Sequence, residues 1–230
     1  MTMRRYCMLA ALLALLAPAG GASADFTFAH VTDIHITGDL SRYAELGLRT
    51  ADWVKAGAAK TWDVNRKAIT DAVNRANPDF VIVTGDLSEA GANIEFDKVI
   101  AWARSIEAPV YMIPGNHDSR ELMRAALPSA SYAFAAGALN QKIEVGGLEL
   151  LLLDSSVHGK PHGELDGTTL QWLDATLAAH PERPALLFLH HPPFKAGIWH
   201  MDRQNLLNAD ELAPVVRRHP RVQLIATGHI

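Results

Sequence analysis

The feature that most constrains this chain is a set of short apolar runs, each ending abruptly in polar residues. Phe26–Thr32 (FTFAHVT) leads into Asp33-Ile34-His35, Phe80–Thr84 (FVIVT) into Gly85-Asp86, and Pro109–Ile113 (PVYMI) into Gly115-Asn116-His117-Asp118. Ala185–Leu189 (ALLFL) leads into His190-His191, and Val222–Ala226 (VQLIA) into Gly228-His229. Runs this short and continuous read as strands covered on both faces, and Leu148–Leu153 (LELLLL) is another. Helical spacing separates them. Thr61–Ala76 carries Ala68, Ile69, Ala72, Val73 and Ala76 on one face, and Asn93–Ile106 carries Phe96, Val99, Ile100, Ala103 and Ile106, with Asn93 as its expected cap. Thr168–Ala179 turns Leu170, Leu173 and Leu177 inward, and a last helix spans Asp210–Arg218. Strands alternating with helices predict one α/β domain with a largely parallel sheet, at least in its first half. Ligands of such sheets bind outside the carboxyl ends of the strands, where these polar groups would converge.

The amino terminus reads differently. Arg4 and Arg5 precede an apolar run from Tyr6 to Ala17, and Ala22-Ser23-Ala24 supplies a small-x-small cleavage pattern. Residues 1–24 are therefore expected to be an export signal and 25–230 the mature domain, periplasmic or secreted. The paired arginines leave twin-arginine export open. The run is shorter than the roughly 20 apolar residues a membrane span needs, so no stable membrane anchor is expected. Cys7, the single cysteine, would leave with the signal, which excludes disulfide and thiolate-metal frameworks. With 49% hydrophobic residues, a formal charge of −4 and no basic cluster, a nucleic-acid partner is not expected.

The polar clusters have bland readings taken singly. Asp33 and His35, two apart on a strand, point the same way and can grip one ion, while Gly85-Asp86 is also ordinary turn chemistry. Asp118 reads as a helix cap, with Glu121 completing a capping box, which leaves Asn116 and His117 unexplained. Taken together, Asp, His and Asn donors without thiolate suit Mn, Fe or Zn. They are numerous enough for two ions sharing one carboxylate, the arrangement that drives in-line phosphoryl displacement.

The ordered set D-x-H (Asp33, His35), G-D (Asp86), G-N-H-D (Gly115–Asp118), H-H-P-P (His190–Pro193) and G-H (Gly228, His229) resembles the calcineurin-like metallophosphoesterase family. The stretch Leu151–Leu173 (LLLDSSVHGKPHGELDGTTLQWL) is similar to a run in its class III cyclic-nucleotide phosphodiesterase and glycerophosphodiesterase branch. The resemblance implies a four-layer α/β/β/α sandwich with two divalent or trivalent metal ions at the strand ends. One site would use Asp33, His35 and a bridging Asp86, and the other Asp86, Asn116, His190 and His229. His190 is taken as the ligand because it stands two before Pro192, which leaves His191 as a candidate residue of the substrate pocket. His117 would stabilise the phosphate or protonate the leaving oxygen, with Asp118 orienting it. The implied reaction is attack by a metal-bridging hydroxide on a small phosphoester of nucleotide or glycerophosphodiester type.

The alternatives are a phosphomonoesterase and a non-catalytic binding module on the same fold. Against the first, Leu87-Ser88-Glu89 follows Asp86 with no tyrosine nearby; against the second, all six ligand positions are filled. The family motif closes as G-H-x-H, whereas this sequence reads Gly228-His229-Ile230. The expectation is a C-terminal part missing and an impaired activity for the chain as read. The segment Gly38–Lys60, with Arg42, Tyr43, Arg49, Trp53 and Lys55, is read equally as a lid over the site or a surface helix. The histidines at 158, 162 and 200 sit in loops as candidate rim residues, without a ligand role.

Overall fold

The structure, a computed structural model, describes residues 12–13, 26–48, 59–128, 130 and 132–230. The expected export signal lies outside the described residues except for Leu12–Leu13, as does most of the 49–60 part of the segment after the first motif. Among the described residues, eight strands form two four-stranded sheets. In the first, β1 (Leu12–Leu13), β2 (Phe28–Val31), β3 (Phe80–Thr84) and β4 (Val110–Ile113) lie side by side, with β2, β3 and β4 parallel. In the second, β5 (Gln141–Val145), β6 (Leu148–Leu153), β7 (Ala185–Leu189) and β8 (Val222–Thr227) follow in order, with β6, β7 and β8 parallel.

Why strands such as β3, β6 and β7 are apolar on nearly every residue follows from the layers. Odd and even positions of β3 point to opposite faces. Val81 and Val83 pack on Val73 of α1 (Ala59–Ala76), on Phe96, Val99 and Trp102 of α2 (Asn93–Ala103), and on Met123 of α3 (Arg120–Ala126). Phe80 and Ile82 face the other sheet, meeting Leu150, Leu152, Leu186 and Phe188 together with Phe28 and Ile113. On the far side, Leu151, Leu153, Leu187 and Leu189 pack on Leu170, Leu173 and Leu177 of α4 (Gly167–Ala179) and on Leu212 and Val215 of α5 (Ala209–Arg218). Three cores between four layers make an α/β/β/α sandwich. Stacked Phe28 and Phe80 rings (centroids 5.4 Å apart) and the edge-on Phe188 (5.8 Å from Phe28) lock the sheets together.

Two local expectations need correction. The residue capping α2 is Ala92, not Asn93. The Glu95 carboxylate folds back to accept from the Ala92 and Ala90 amides (3.1 and 3.0 Å), which makes a capping side chain at the first position unnecessary. Asp118 does not cap α3 either, because Ser119 does, accepting from the Leu122 amide. Strand β5 is an addition: it turns into β6 through Gly146-Gly147, both at positive φ (56° and 83°), as a two-residue hairpin of mirror-image hand requires. Tyr43, inside the expected lid or helix, is buried; its hydroxyl accepts from the Gly38 amide and donates to Glu95, so this part of the segment is anchored on α2. Among the described residues no helix is long and apolar enough to cross a membrane.

Candidate metal centre

All six parallel strands deliver their carboxyl ends to one edge of the sandwich. Asp33 follows β2, Asp86 follows β3, and Asn116 and His117 follow β4. Asp154-Ser155 follow β6, His190 and His191 follow β7, and Gly228-His229 follow β8. The backbone at these ends is strained. Asp33, His35, Asp86 and His229 all adopt positive φ (55°, 42°, 49° and 69°), a conformation costing about 1–3 kcal/mol each in a residue other than glycine. Inter-strand bonds hold them there: Asp33 N donates to Gly85 O (3.1 Å), His35 N to Asp86 O (2.9 Å), and Gly228 N to His190 O (3.0 Å).

Asp86 sits at the centre and is buried. Its Oδ1 lies 3.4 Å from His190 Nε2, and its Oδ2 lies 3.6 Å from His35 Nε2. The same Oδ1 accepts from the His117 amide (3.0 Å). His190 donates its Nδ1 proton to the Thr84 carbonyl (2.7 Å), which fixes the ring and turns Nε2 toward Asn116 Oδ1 and His229 Nδ1, each 3.1 Å away. On the other side His35 Nδ1 bonds Glu89 Oε2 (3.0 Å), and His35 Nε2 is 3.9 Å from Asp33 Oδ1. The His229 amide donates to Asp33 Oδ2 (3.0 Å), tying β8 of the second sheet to β2 of the first.

The electrostatics reflect this crowding. Burial works to lower the His190 pKa, but the Asp86 carboxylate overrides it and holds it up at about 9. Burial likewise opposes ionisation of Asp86, yet the surrounding His190, His35 and His117 keep its carboxyl well below the usual range. His191 and His229 respond oppositely: burial and the neighbouring His190 push them down to about 2 and about 4. His35 is raised; burial opposes this, and the Glu89 hydrogen bond with Asp86 and Asp33 outweighs it.

A donor set of this kind fits cations. Three groups of side chains, Asp33–Asp86–His190, His190–His191–His229 and His35–Glu89–His117, each bring three potential ligand atoms within 4.8 Å of one another. These oxygen and nitrogen atoms crowd around Asp86, and positive charge, whether the proton that Asp86 favours on His190 or a bound cation, is what relieves that arrangement. The buried Nε2 of His229 makes no hydrogen bond at all.

The structure therefore brings Asp33, His35, Asp86, Asn116, His190 and His229 to one edge, with His117 beside them. The ring of His117 lies 4.7 Å from that of His35, edge to face, and its Nδ1 bonds the Glu89 carbonyl oxygen (2.6 Å). That bond corrects the expectation for Asp118, which does not touch the His117 ring. Asp118 instead accepts from the amides of Leu87 (3.0 Å), Ser88 (2.9 Å) and Gly115 (2.9 Å) and from the Ser88 hydroxyl (2.7 Å), lashing the Asp86 turn to the Asn116 turn. Burial and the nearby Asp86 raise its pKa. His191 is fully buried and bonds Ser155 Oγ through Nδ1 (2.8 Å). Of the loop histidines, His158 lines a cavity beside Asn116, His162 stands near Glu164, and His200 is exposed. Glu89 is the residue that sequence reasoning overlooked: its carboxylate holds His35 and its carbonyl holds His117. No spacing rule flags it, since both partners lie far away in sequence.

Residues 26–230 match the family described as calcineurin-like phosphoesterase. A probable glycerophosphodiester phosphodiesterase, GpdQ, of Arcobacter nitrofigilis is 36% identical over 157 residues, covering 68% of this chain and 58% of that protein. The 3',5'-cyclic adenosine monophosphate phosphodiesterase CpdA of Escherichia coli is 36% identical over 173 residues, covering 74% of this chain and 61% of its own. The chain thus spans about three fifths of the length of these two curated relatives. In fold it is similar to a dimetal phosphatase from Danio rerio, with a TM-score of 0.68 at 17% identity, over 89% of this chain and 81% of that one.

Proposed function

This chain belongs to the calcineurin-like phosphoesterase family, and from that premise we propose that it is an exported, metal-dependent phosphodiesterase acting on small nucleotide or glycerophosphodiester substrates. The observation that carries the reading is the two-sided Asp86 carboxylate, with one oxygen toward His190 and the other toward His35. Such a carboxylate suits two cations, of the Mn, Fe or Zn type. Asp33, His35 and Asp86 would hold one; Asp86, Asn116, His190 and His229 would hold the other. When bound, the cations supply the positive charge that acidifies an attacking water and neutralises the phosphoryl oxygens.

The chain's own groups do the rest. The Glu89 carbonyl accepts the His117 Nδ1 proton, so a protonated His117 has only its Nε2 proton to give. That proton goes to the leaving alkoxide. Asp118 keeps the Asn116–His117 turn fixed against the Asp86 turn, and buried His191 backs the cluster. The diester preference rests on the two relatives whose names state it. The export reading rests on Arg4, Arg5 and the apolar run that follows. It favours phosphoesters met outside the cytoplasm.

The direct test is hydrolysis of a chromogenic phosphodiester with added Mn²⁺. Wild-type protein should turn it over, at the reduced rate expected from the sequence. His117→Ala should lose about 10²–10⁴-fold in kcat, the usual weight of a general acid, while still binding Mn²⁺. Equal rates for both proteins would remove His117 from the reaction, and no turnover by wild type would leave the binding-module reading standing.

Metal affinity should also depend on pH. With Asp86 holding the His190 pKa up at about 9, a cation must displace that proton. Each pH unit upward, below about 9, should raise apparent Mn²⁺ affinity by up to about tenfold. Calorimetric titrations at two pH values measure it, and a flat response would show that no proton leaves.

A further inference from the structure

Of the parallel strands at the site edge, β6 is the one whose end carries none of the expected ligands. It ends instead in Asp154-Ser155-Ser156, and these residues make an unusual number of bonds. The Asp154 carboxylate is fully buried. It accepts from Arg120 Nε (2.6 Å) and Nη2 (3.1 Å), from the amides of Leu139 (2.9 Å) and Ser156 (2.9 Å), and from the Ser156 hydroxyl (2.6 Å). Arg120 Nη2 also donates to the Ser156 carbonyl (2.6 Å). The Asp154 amide donates to Asn140 Oδ1 (2.8 Å), whose Nδ2 donates to Thr169 on α4 (2.9 Å), so the turn is anchored in the second sheet's own layer.

The partners of this turn are what matter. Arg120 is the first residue of α3, directly after the segment that carries Asn116 and His117 from the first sheet. Ser155 Oγ meets His191 Nδ1 (2.8 Å) and accepts from the His191 amide (3.3 Å), next to His190 from the second sheet. A bidentate guanidinium–carboxylate fork is directional as well as strong. The site is assembled from two sheets, so something must hold the Asn116 turn and the His190 pair at one separation.

We propose that the Asp154–Ser156 turn is a positioning element that sets Asn116 and His117, through Arg120, against His190 and His191, through Ser155. It touches no reacting atom. The proposal rests on the metal-dependent reading of the same edge, and it assigns roles to Arg120, Asp154 and Ser155 that the ligand motifs do not.

The test uses Arg120→Lys and Asp154→Asn, which keep the charge or the shape but break the fork, with exposed Lys67→Ala as a control. Both brace variants should melt cooperatively yet lose about 10–100-fold in kcat and in Mn²⁺ affinity, the scale typical of groups that orient metal ligands, with KM little changed. Arg120→Lys/Asp154→Asn should lose no more than the worse single variant, because the pair acts as a unit. Variants that melt earlier but match wild type in kcat and Mn²⁺ affinity would reduce the turn to a stability device and overturn the proposal, as would additive losses in the double variant. If wild type hydrolyses no phosphodiester, the activity reading falls, and Mn²⁺ affinity alone still decides for or against the brace.

Discussion

Asp86→Ala is expected to bring phosphodiester hydrolysis down to the buffer background, and to abolish stoichiometric Mn²⁺ binding with it. The reasons are geometric and electrostatic at once. Asp86 is 3% exposed and stands between His190 and His35 while accepting the His117 amide. Removing it strips the shared donor from both halves of the cluster and leaves that amide without its acceptor. Breaking one partner out of a buried charged arrangement costs about 3–5 kcal/mol. The rate falls for a separate reason: without the shared donor neither cation is held to activate the water and neutralise the phosphoryl oxygens. Asp86→Asn separates the contributions: it keeps the volume and one acceptor oxygen, so it should fold well and still fail to hold both ions. The measurements are kcat/KM on a chromogenic diester and Mn²⁺ stoichiometry by calorimetry. An alanine variant retaining a tenth of wild-type turnover would show that Asp86 is not the shared ligand.

The parts of this site that are legible in the sequence are those written locally. A buried strand must be apolar on both faces, so FVIVT and ALLFL announce themselves. A polar group directly after such a strand has only one edge of the sheet to occupy, and that alone places Asp33, Asp86, Asn116, His190 and His229 together. Local grammar misleads where a long-range partner outbids it. Asp118 has the position and spacing of a helix cap, yet four donors from the Asp86 and Gly115 turns claim its carboxylate, and Ser119 takes over the cap. Asn93 loses the cap of α2 because Glu95 satisfies the amides from within the helix. Glu89 and the Arg120–Asp154 pair are illegible for the same reason from the other side. Their meaning lies in partners 28–54 residues away, across loops whose path no periodicity encodes. Strand β5 escapes a search for buried runs because its alternation, QKIEV, is that of an edge strand half in water.

Gly115→Ala is the smallest change that should disable the centre. Gly115 has no positive φ, so alanine meets no backbone objection there; the objection is space. A Cβ at this position would overlap Asp86 Oδ1 and the Asp86 amide nitrogen and lie 2.9 Å from Asp86 Cγ. The carboxylate oxygen is the far end of a side chain and can swing, but swinging it breaks the approach to His190 and the bond to the His117 amide. The amide nitrogen is backbone, already fixed at positive φ, and cannot yield without moving the β3 turn. Either way the Asp86 and Asn116 turns must separate by several tenths of an ångström or more. Overpacking of this kind costs about 1–3 kcal/mol of stability, and misplacing catalytic groups by about 1 Å costs about 10²-fold in rate. The folded variant should therefore melt somewhat earlier, lose about 10²-fold in kcat/KM and bind Mn²⁺ more weakly. Gly167→Ala is the matched control, since a Cβ there meets nothing within 4 Å at the start of α4. It should leave turnover unchanged and, with alanine favoured over glycine in a helix, leave stability equal or slightly higher. Wild-type turnover and Mn²⁺ affinity in Gly115→Ala would mean that the two turns can part without consequence, and that the close approach of Asp86 to the Asn116 turn is not what builds the centre.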